Sequence, residues 1–173
     1  MRILGVDPGL VVTGYGVIQA SREGLSVVEA GVVRGGPQEQ PLEGRLGAIY
    51  QGVLEVLDRF FPDAMALEEL YSHYAHPTTA ILMGHARGVI CLAATQKGVP
   101  VFSYSNTQIK MSVVGEGGAT KEQVQKMVRS RLGKLSGPYD VTDALAAALC
   151  HYSVVNSPLA HLPKSPKVLT PKP

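Results

Sequence analysis

The stretch that most constrains this chain is its first apolar run, Ile3-Leu4-Gly5-Val6, which ends in a carboxylate at Asp7 and is closed at once by Pro8-Gly9. A run of that length, bounded by a turn dipeptide, reads as a buried central strand. The acid at its last position then lies at the rim of the sheet, where ligands bind in open α/β folds. A competing reading has Asp7 merely opening an Asx-type turn, with Pro8 setting φ. This stretch alone does not choose between the two.

The rest of the chain supplies a partner for that acid. Residues 13–20 and 25–34 read as two strands joined by the polar turn Ser21-Arg22-Glu23-Gly24, an antiparallel meander with the first strand. After the loop opened by Gly35-Gly36-Pro37, the residues Leu42, Leu46, Ile49, Val53, Val56, Leu57 and Phe60 recur at helical spacing, and Pro62-Asp63 ends that helix. Next comes Ala64-Met65-Ala66-Leu67, a second short apolar run that also ends in acid, Glu68-Glu69. A helical crossover allows this fourth strand to lie parallel beside the first. Asp7 and Glu68 then meet on one side of the sheet.

Beyond the loop Leu70-Tyr71-Ser72-His73-Tyr74-Ala75-His76, Pro77 starts a helix that runs to about Lys97, with Gly98 as its cap. It is apolar nearly all round, so it lies at the core or forms half of a subunit interface. Val99-Pro100-Val101-Phe102 reads as a fifth strand with the edge character of a proline, and a short helix over about 106–114 carries Lys110. Thr120-Lys121-Glu122-Gln123 is a capping box opening a helix with Val124, Met127, Val128 and Leu132 inward, and Lys121, Lys126 and Arg129 outward. The last helix, from about Pro138 to Val154, buries Val141, Ala144, Leu145, Ala148 and Tyr152. Asp140 and Asp143 sit three apart in its first turn, as neighbours on one surface. There the helix dipole favours anions, so plain capping also accounts for them.

Composition narrows the classes. A chain of 173 residues fits one domain. Met1-Arg2 leads straight into a strand without an apolar leader, and the most apolar helical stretch, 79–95, is interrupted by His85 and Arg87 and reads as too short to span a bilayer. The expectation is a cytoplasmic protein with no membrane partner, its Cys91 and Cys150 free thiols. Net charge is +2, but residues 1–69 hold five Lys/Arg against ten Asp/Glu, and residues 70–173 hold eleven against four. That asymmetry, with six cations between Lys110 and Lys134, raises the case for a polyanion partner, although a charge run is often only a solvated helix face. From Ser157 onward five prolines and three lysines, with no acid, read as a disordered tail on a domain of residues 1–156.

Asp7, Glu68, Asp140 and Asp143 thus each stand at an element end on one expected rim. Clustered like charges are costly unless cations offset them, and all-oxygen donors select Mg²⁺ or Mn²⁺. Two such ions about 4 Å apart support in-line phosphoryl displacement. A P-loop, a Gly-x-Ser-x-Gly elbow and zinc-type Cys/His spacing are absent from the sequence. His73, His76, His85 and His151 read as polar loop groups and satisfied core residues rather than ligands.

Several motifs in order carry a resemblance. They are Gly5-Val6-Asp7-Pro8-Gly9 with Thr13-Gly14-Tyr15-Gly16; Ala66-Leu67-Glu68-Glu69-Leu70-Tyr71; Gly84-His85-Ala86-Arg87-Gly88; Ile109-Lys110 with Val113-Val114-Gly115; Lys121 with Gln123-Val124 and Met127-Val128-Arg129; and Asp140-Val141-Thr142-Asp143-Ala144-Leu145-Ala146. From about Ile3 to His151 the chain resembles the RuvC family of Holliday-junction resolvases, within the ribonuclease-H-like nucleases. The resemblance implies a ribonuclease-H-like α/β fold: a five-stranded mixed sheet, strands one to three an antiparallel meander and strands four and five parallel to strand one, flanked by helices. It implies an endonuclease that resolves four-way DNA junctions by paired, metal-dependent nicks leaving 5′-phosphate and 3′-hydroxyl ends, with two Mg²⁺ or Mn²⁺ ions per site. Asp7, Glu68, Asp140 and Asp143 take the place of the family's metal ligands, and Glu69 is a bystander. Lys110 and Lys121 map to lysines for phosphate contact and transition-state charge, while Lys126 and Arg129 add DNA contacts. Tyr71 stands where the best-known relative has a phenylalanine wedge. A homodimer working with the RuvA–RuvB branch-migration complex is implied as well. The rival readings are a junction-binding module without catalysis, an actin-like ATPase domain, and ribonuclease H-type cleavage of RNA–DNA hybrids.

Overall fold

A computed structural model of the protein describes residues 1–69, 77–133, 139–156 and 167–168. The elements run β1 (Arg2–Asp7), β2 (Val12–Ser21), β3 (Gly24–Arg34), α1 (Leu42–Phe60), β4 (Ala64–Glu68), α2 (Pro77–Gln96), β5 (Val101–Tyr104), α3 (Asn106–Val114), α4 (Lys121–Leu132), α5 (Tyr139–Asn156) and β6 (Lys167–Val168). The sheet order is β3-β2-β1-β4-β5-β6. β1, β2 and β3 form the antiparallel meander, and β4 and β5 run parallel to β1, as the sequence predicts. Beyond those five strands, β6 adds an antiparallel pair to β5, Phe102 opposite Val168 and Ser103 opposite Lys167. Apart from these two residues, the tail over 157–173 lies outside the described residues.

Helices cover the sheet on both faces. Leu4, Val6, Met65 and Leu67 point to the side of α1 and α2, packing with Ile49, Val53, Leu57, Ala86, Ile90 and Ala94. Ile3, Ala66 and Tyr104 point to the other side and pack with Ile109, Val113, Val124, Val128, Leu145 and Leu149. Ile3, Leu4 and Val6 are all but inaccessible, and burial of such side chains stabilises by roughly 1.5–3 kcal/mol each. The period-two alternation of β1 and β4 therefore serves two cores at once.

α5 lies closer to the sheet than an ordinary helix, and two glycines allow it. A Cβ on Gly5 would sit 2.9 Å from both the Ala144 carbonyl carbon and the Ala148 nitrogen, and nearer still to the Ala144 oxygen. A Cβ on Gly16 would overlap the Leu145 side chain. The helix meets this backbone with small residues, Ala144, Ala146, Ala147 and Ala148, all buried.

α1 ends on Phe61, an αL residue at φ 45 whose N–H donates to Leu57 at 3.0 Å, with Pro62 next. Glycine is the usual occupant of that position. α2 corrects one expectation: Thr78–Gln96 is long and apolar enough to cross a membrane by length and composition. Ala86, Ile90, Ala93 and Ala94 are buried against α1 and the sheet, while only 22% of the stretch is buried and Ile81 and Leu92 are exposed. Cys150 is buried and Cys91 half-buried, both free.

Candidate active site

The parallel register of β1 on β4 runs Ile3↔Ala64 through Val6↔Leu67, so Asp7 and Glu68 occupy the next step, side by side at the two strand ends. Alternation sets their direction. Ile3 and Ala66 lie in the α5-side core, and Asp7 and Glu68 stand an even number of residues beyond them, on that same face. Glu68 is itself paired with Tyr104 of β5.

α5 brings the third acid. Its first turns ride over Gly5, which carries Asp143 to the cleft that Glu68 faces. The cleft, of about 210 Å³, is lined by Glu68, Asn106, Ile109, Lys110, Lys121, Val124, Asp143 and Ala146. Lys121 reaches in from the start of α4, its ammonium 2.7 Å from Asp143. Thr120 fixes that start: its hydroxyl accepts from the Gln123 N–H at 3.3 Å, and Gln123 returns an oxygen to the Thr120 N–H at 2.7 Å. The capping box read from the sequence is thus what aims Lys121.

Glu68 is held at both ends. The Asn106 amide donates to its Oε1 at 2.9 Å, and the Arg87 Nε donates to its backbone oxygen at 3.2 Å. Arg87 also donates to the Ser103 hydroxyl at 2.5 Å, tying α2 to β5 beside the site. Burial pushes the Glu68 carboxyl above the ordinary carboxylate range and Asp143 adds to the rise, against the opposing pull of Asn106, Lys121 and Lys110. A carboxyl raised in this way has its charged form disfavoured by burial.

Lys126 and Arg129 are exposed on α4, as predicted. His85 is exposed, while His151 is buried with its Nδ1 2.7 Å from the Tyr104 hydroxyl. Burial depresses the His151 pKa to about 4, which makes it a satisfied core histidine. Tyr71, His73, His76 and the side chain of Asp140 lie outside the described residues.

Asn106 and Arg87 were not among the sequence candidates. Asn106 follows the Ser105 cap and reads as part of it, so nothing in the sequence marks it. Arg87 left a signal: a lone cation in an apolar helix needs a partner, since buried charges are rarely left unpaired.

As placed, no group of three His, Cys, Asp or Glu side chains among the described residues converges to hold a metal ion. The chemistry of the donors nonetheless suits a hard cation. The acids assembled here offer carboxylate oxygens alone, the donor type that hard divalent cations take.

Comparison with known proteins identifies the family and the fold. The family model described as crossover junction endodeoxyribonuclease RuvC matches residues 3–151. A crossover junction endodeoxyribonuclease RuvC from Rhodopirellula baltica is 50% identical over 161 residues, covering 91% of this chain and 89% of that one. One from Pelotomaculum thermopropionicum is 44% identical, covering 87% and 92%. Among solved structures, T. thermophilus RuvC in complex with a Holliday junction substrate superposes with a TM-score of 0.83 at 37% identity, covering 90% of this chain and 94% of that one. The yeast mitochondrial Holliday junction resolvase has the same fold at 10% identity, with a TM-score of 0.62 over 87% of this chain and 77% of its own.

Proposed function

The chain belongs to the RuvC family of crossover junction endodeoxyribonucleases, structure-specific nucleases that resolve four-way DNA junctions, and from that premise we propose how its residues do this. The family endonuclease depends on divalent metal in general. Our reading is that Asp7, Glu68, Asp140 and Asp143 hold two Mg²⁺ or Mn²⁺ ions. The observation that carries it is the register that sets Asp7 beside Glu68 on the face covered by α5, with Asp143 and Lys121 lining the same cleft.

Bound cations of this class supply positive charge at the scissile phosphate and make water a stronger nucleophile at neutral pH. The protein's own groups do the rest. Asp7 and Glu68, on adjacent strands of a rigid sheet, and Asp143 on α5, which is seated on Gly5, keep these carboxylates in fixed relation. Lys121 stands ready to meet negative charge that grows on the phosphate, and Lys110, in the same cleft, binds a neighbouring phosphate. Lys126 and Arg129 add sequence-independent contacts from the exposed side of α4. Tyr71 stacks on an unpaired base, a contact worth roughly 1–3 kcal/mol. The products are a 5′-phosphate and a 3′-hydroxyl. The working unit is a homodimer that acts in the cytoplasm with the RuvA–RuvB complex.

The test is cleavage of a synthetic four-way junction beside plain duplex and RNA–DNA hybrid, with Mg²⁺, Mn²⁺ or chelator. Paired nicks confined to the junction are expected with metal and none with chelator. Asp7→Asn is expected to abolish cleavage while leaving junction binding intact, because it removes a ligand charge at similar size. Near wild-type cleavage by that variant would sink the ligand assignment. Cleavage of the hybrid instead would move the chain to ribonuclease H chemistry.

A further inference from the structure

We infer that Asn106 is a positioning residue, a neutral tether that holds the Glu68 carboxylate in the orientation a divalent cation needs. The inference rests on the reading of Glu68 as a cation ligand. Glu68 is the last residue of β4, and its backbone is fixed from two sides, by pairing with Tyr104 and by the Arg87 bond to its carbonyl oxygen. Its side chain has rotatable bonds that no strand pairing restrains. The Asn106 Nδ2, 2.9 Å from Oε1, restrains them.

The donor is itself well anchored. Asn106 is the first residue of α3, directly after the Ser105 N-cap. Ser105 donates its N–H to the Gln108 side chain at 2.8 Å and its hydroxyl accepts the Gln108 N–H at 3.3 Å. One step earlier, Tyr104 is buried and bonded to His151. Helix capping does not account for Asn106, because Ser105 already serves as the cap and the Asn106 amide is turned toward Glu68 instead.

The chemistry of the tether matters. Lys121 neutralises the acid it binds, Asp143, and so competes with any cation for it. An amide donates a hydrogen bond without cancelling charge, so Oε1 of Glu68 is held while the carboxylate keeps its net negative charge for a divalent ion. Partners of this kind around metal ligands are worth about 10–100-fold in metal affinity. Asn106 is exposed, which sets the expectation at the lower end.

The experiment titrates Mn²⁺ into the full chain without DNA, read by electron paramagnetic resonance of the free ion. Wild type, Asn106→Ala, Asn106→Ser and Glu68→Gln are compared, with thermal melting of each. Both Asn106 variants are expected to melt with the wild type and to bind Mn²⁺ about tenfold more weakly. Their junction cleavage should fall at limiting Mn²⁺ and recover at saturating Mn²⁺, with junction affinity in chelator unchanged. A merely structural role for Asn106 would not produce recovery by metal. Mn²⁺ affinity within twofold of wild type in both Asn106 variants, alongside a clear loss in Glu68→Gln, would overturn the tether and leave Glu68 as ligand. Unaltered Mn²⁺ binding by Glu68→Gln would instead overturn the ligand reading itself.

Discussion

Replacing Gly5 with alanine tests the seat of α5 directly. The added methyl would lie 2.9 Å from the Ala144 carbonyl carbon and the Ala148 nitrogen, where ordinary contact begins at 3.4 Å. Both neighbours are backbone atoms of a buried helix, so no side chain can swing aside. The Ala144 carbonyl oxygen would lie closer still, so helix or strand must give by about 1 Å or more. Overpacking of this kind costs about 1–3 kcal/mol, a Tm loss of roughly 2–12 °C for a chain of this size. Cleavage should suffer beyond the stability loss. A misplacement of about 1 Å costs around a hundredfold in rate, so a loss on the order of a hundredfold is expected. The assay is single-turnover junction cleavage at saturating metal, well below the variant's Tm, with junction binding in chelator as the control. Gly47→Ala serves as the matched substitution, since an alanine Cβ there meets nothing within 4 Å, and it should raise Tm through helix propensity. A Gly5→Ala protein with wild-type Tm and undiminished cleavage would refute the argument that this glycine sets the carboxylate geometry.

Two further outcomes are expected. Thr120→Ala removes the α4 cap, costing about 1 kcal/mol, or roughly 2–4 °C in Tm. It should also slow cleavage several-fold by loosening the turn that aims Lys121, with junction affinity unchanged; an unaltered rate would separate Lys121 from its cap. His151, with its pKa lowered to about 4 by burial, binds its proton less readily folded than unfolded. Stability should therefore be full above about pH 6.5 and fall as pH drops toward 4, by roughly 3 kcal/mol from this group. Denaturant midpoints across that window, compared with His151→Phe, measure it. An equal slope in both proteins would remove His151 as the cause.

The sequence revealed what local pattern controls and missed what register and helix rotation control. Asp7 and Glu68 were visible because each ends a short apolar run, and a parallel crossover leaves few ways to place two such ends. The Thr120–Gln123 box and the outward Lys126 and Arg129 were visible because capping and helical period are local rules. Whether Asp140 and Asp143 were caps or site residues stayed open, because both readings put acids in the first turn of a helix. The pairing of Lys121 with Asp143 and of Asn106 with Glu68 depends on how α3, α4 and α5 are turned about their axes, which no spacing along the chain encodes. The αL residue at Phe61 was hidden for another reason, since glycine usually marks that conformation and phenylalanine does not.

The hydrogen bond between His151 and Tyr104 has a consequence at the opposite end of its helix. α5 is one unbroken rod from Tyr139 to Asn156, so its rotation cannot be set at one end and left loose at the other. At about 100° per residue, eight residues separate the azimuth of His151 from that of Asp143 by about 80°. The buried imidazole, clamped to β5, therefore works as an angular stop, and Gly5 works as a depth stop. Together they dictate where the acid of α5 points with no contact to that acid. Substitutions two turns away from the chemistry should then read out as errors of aim.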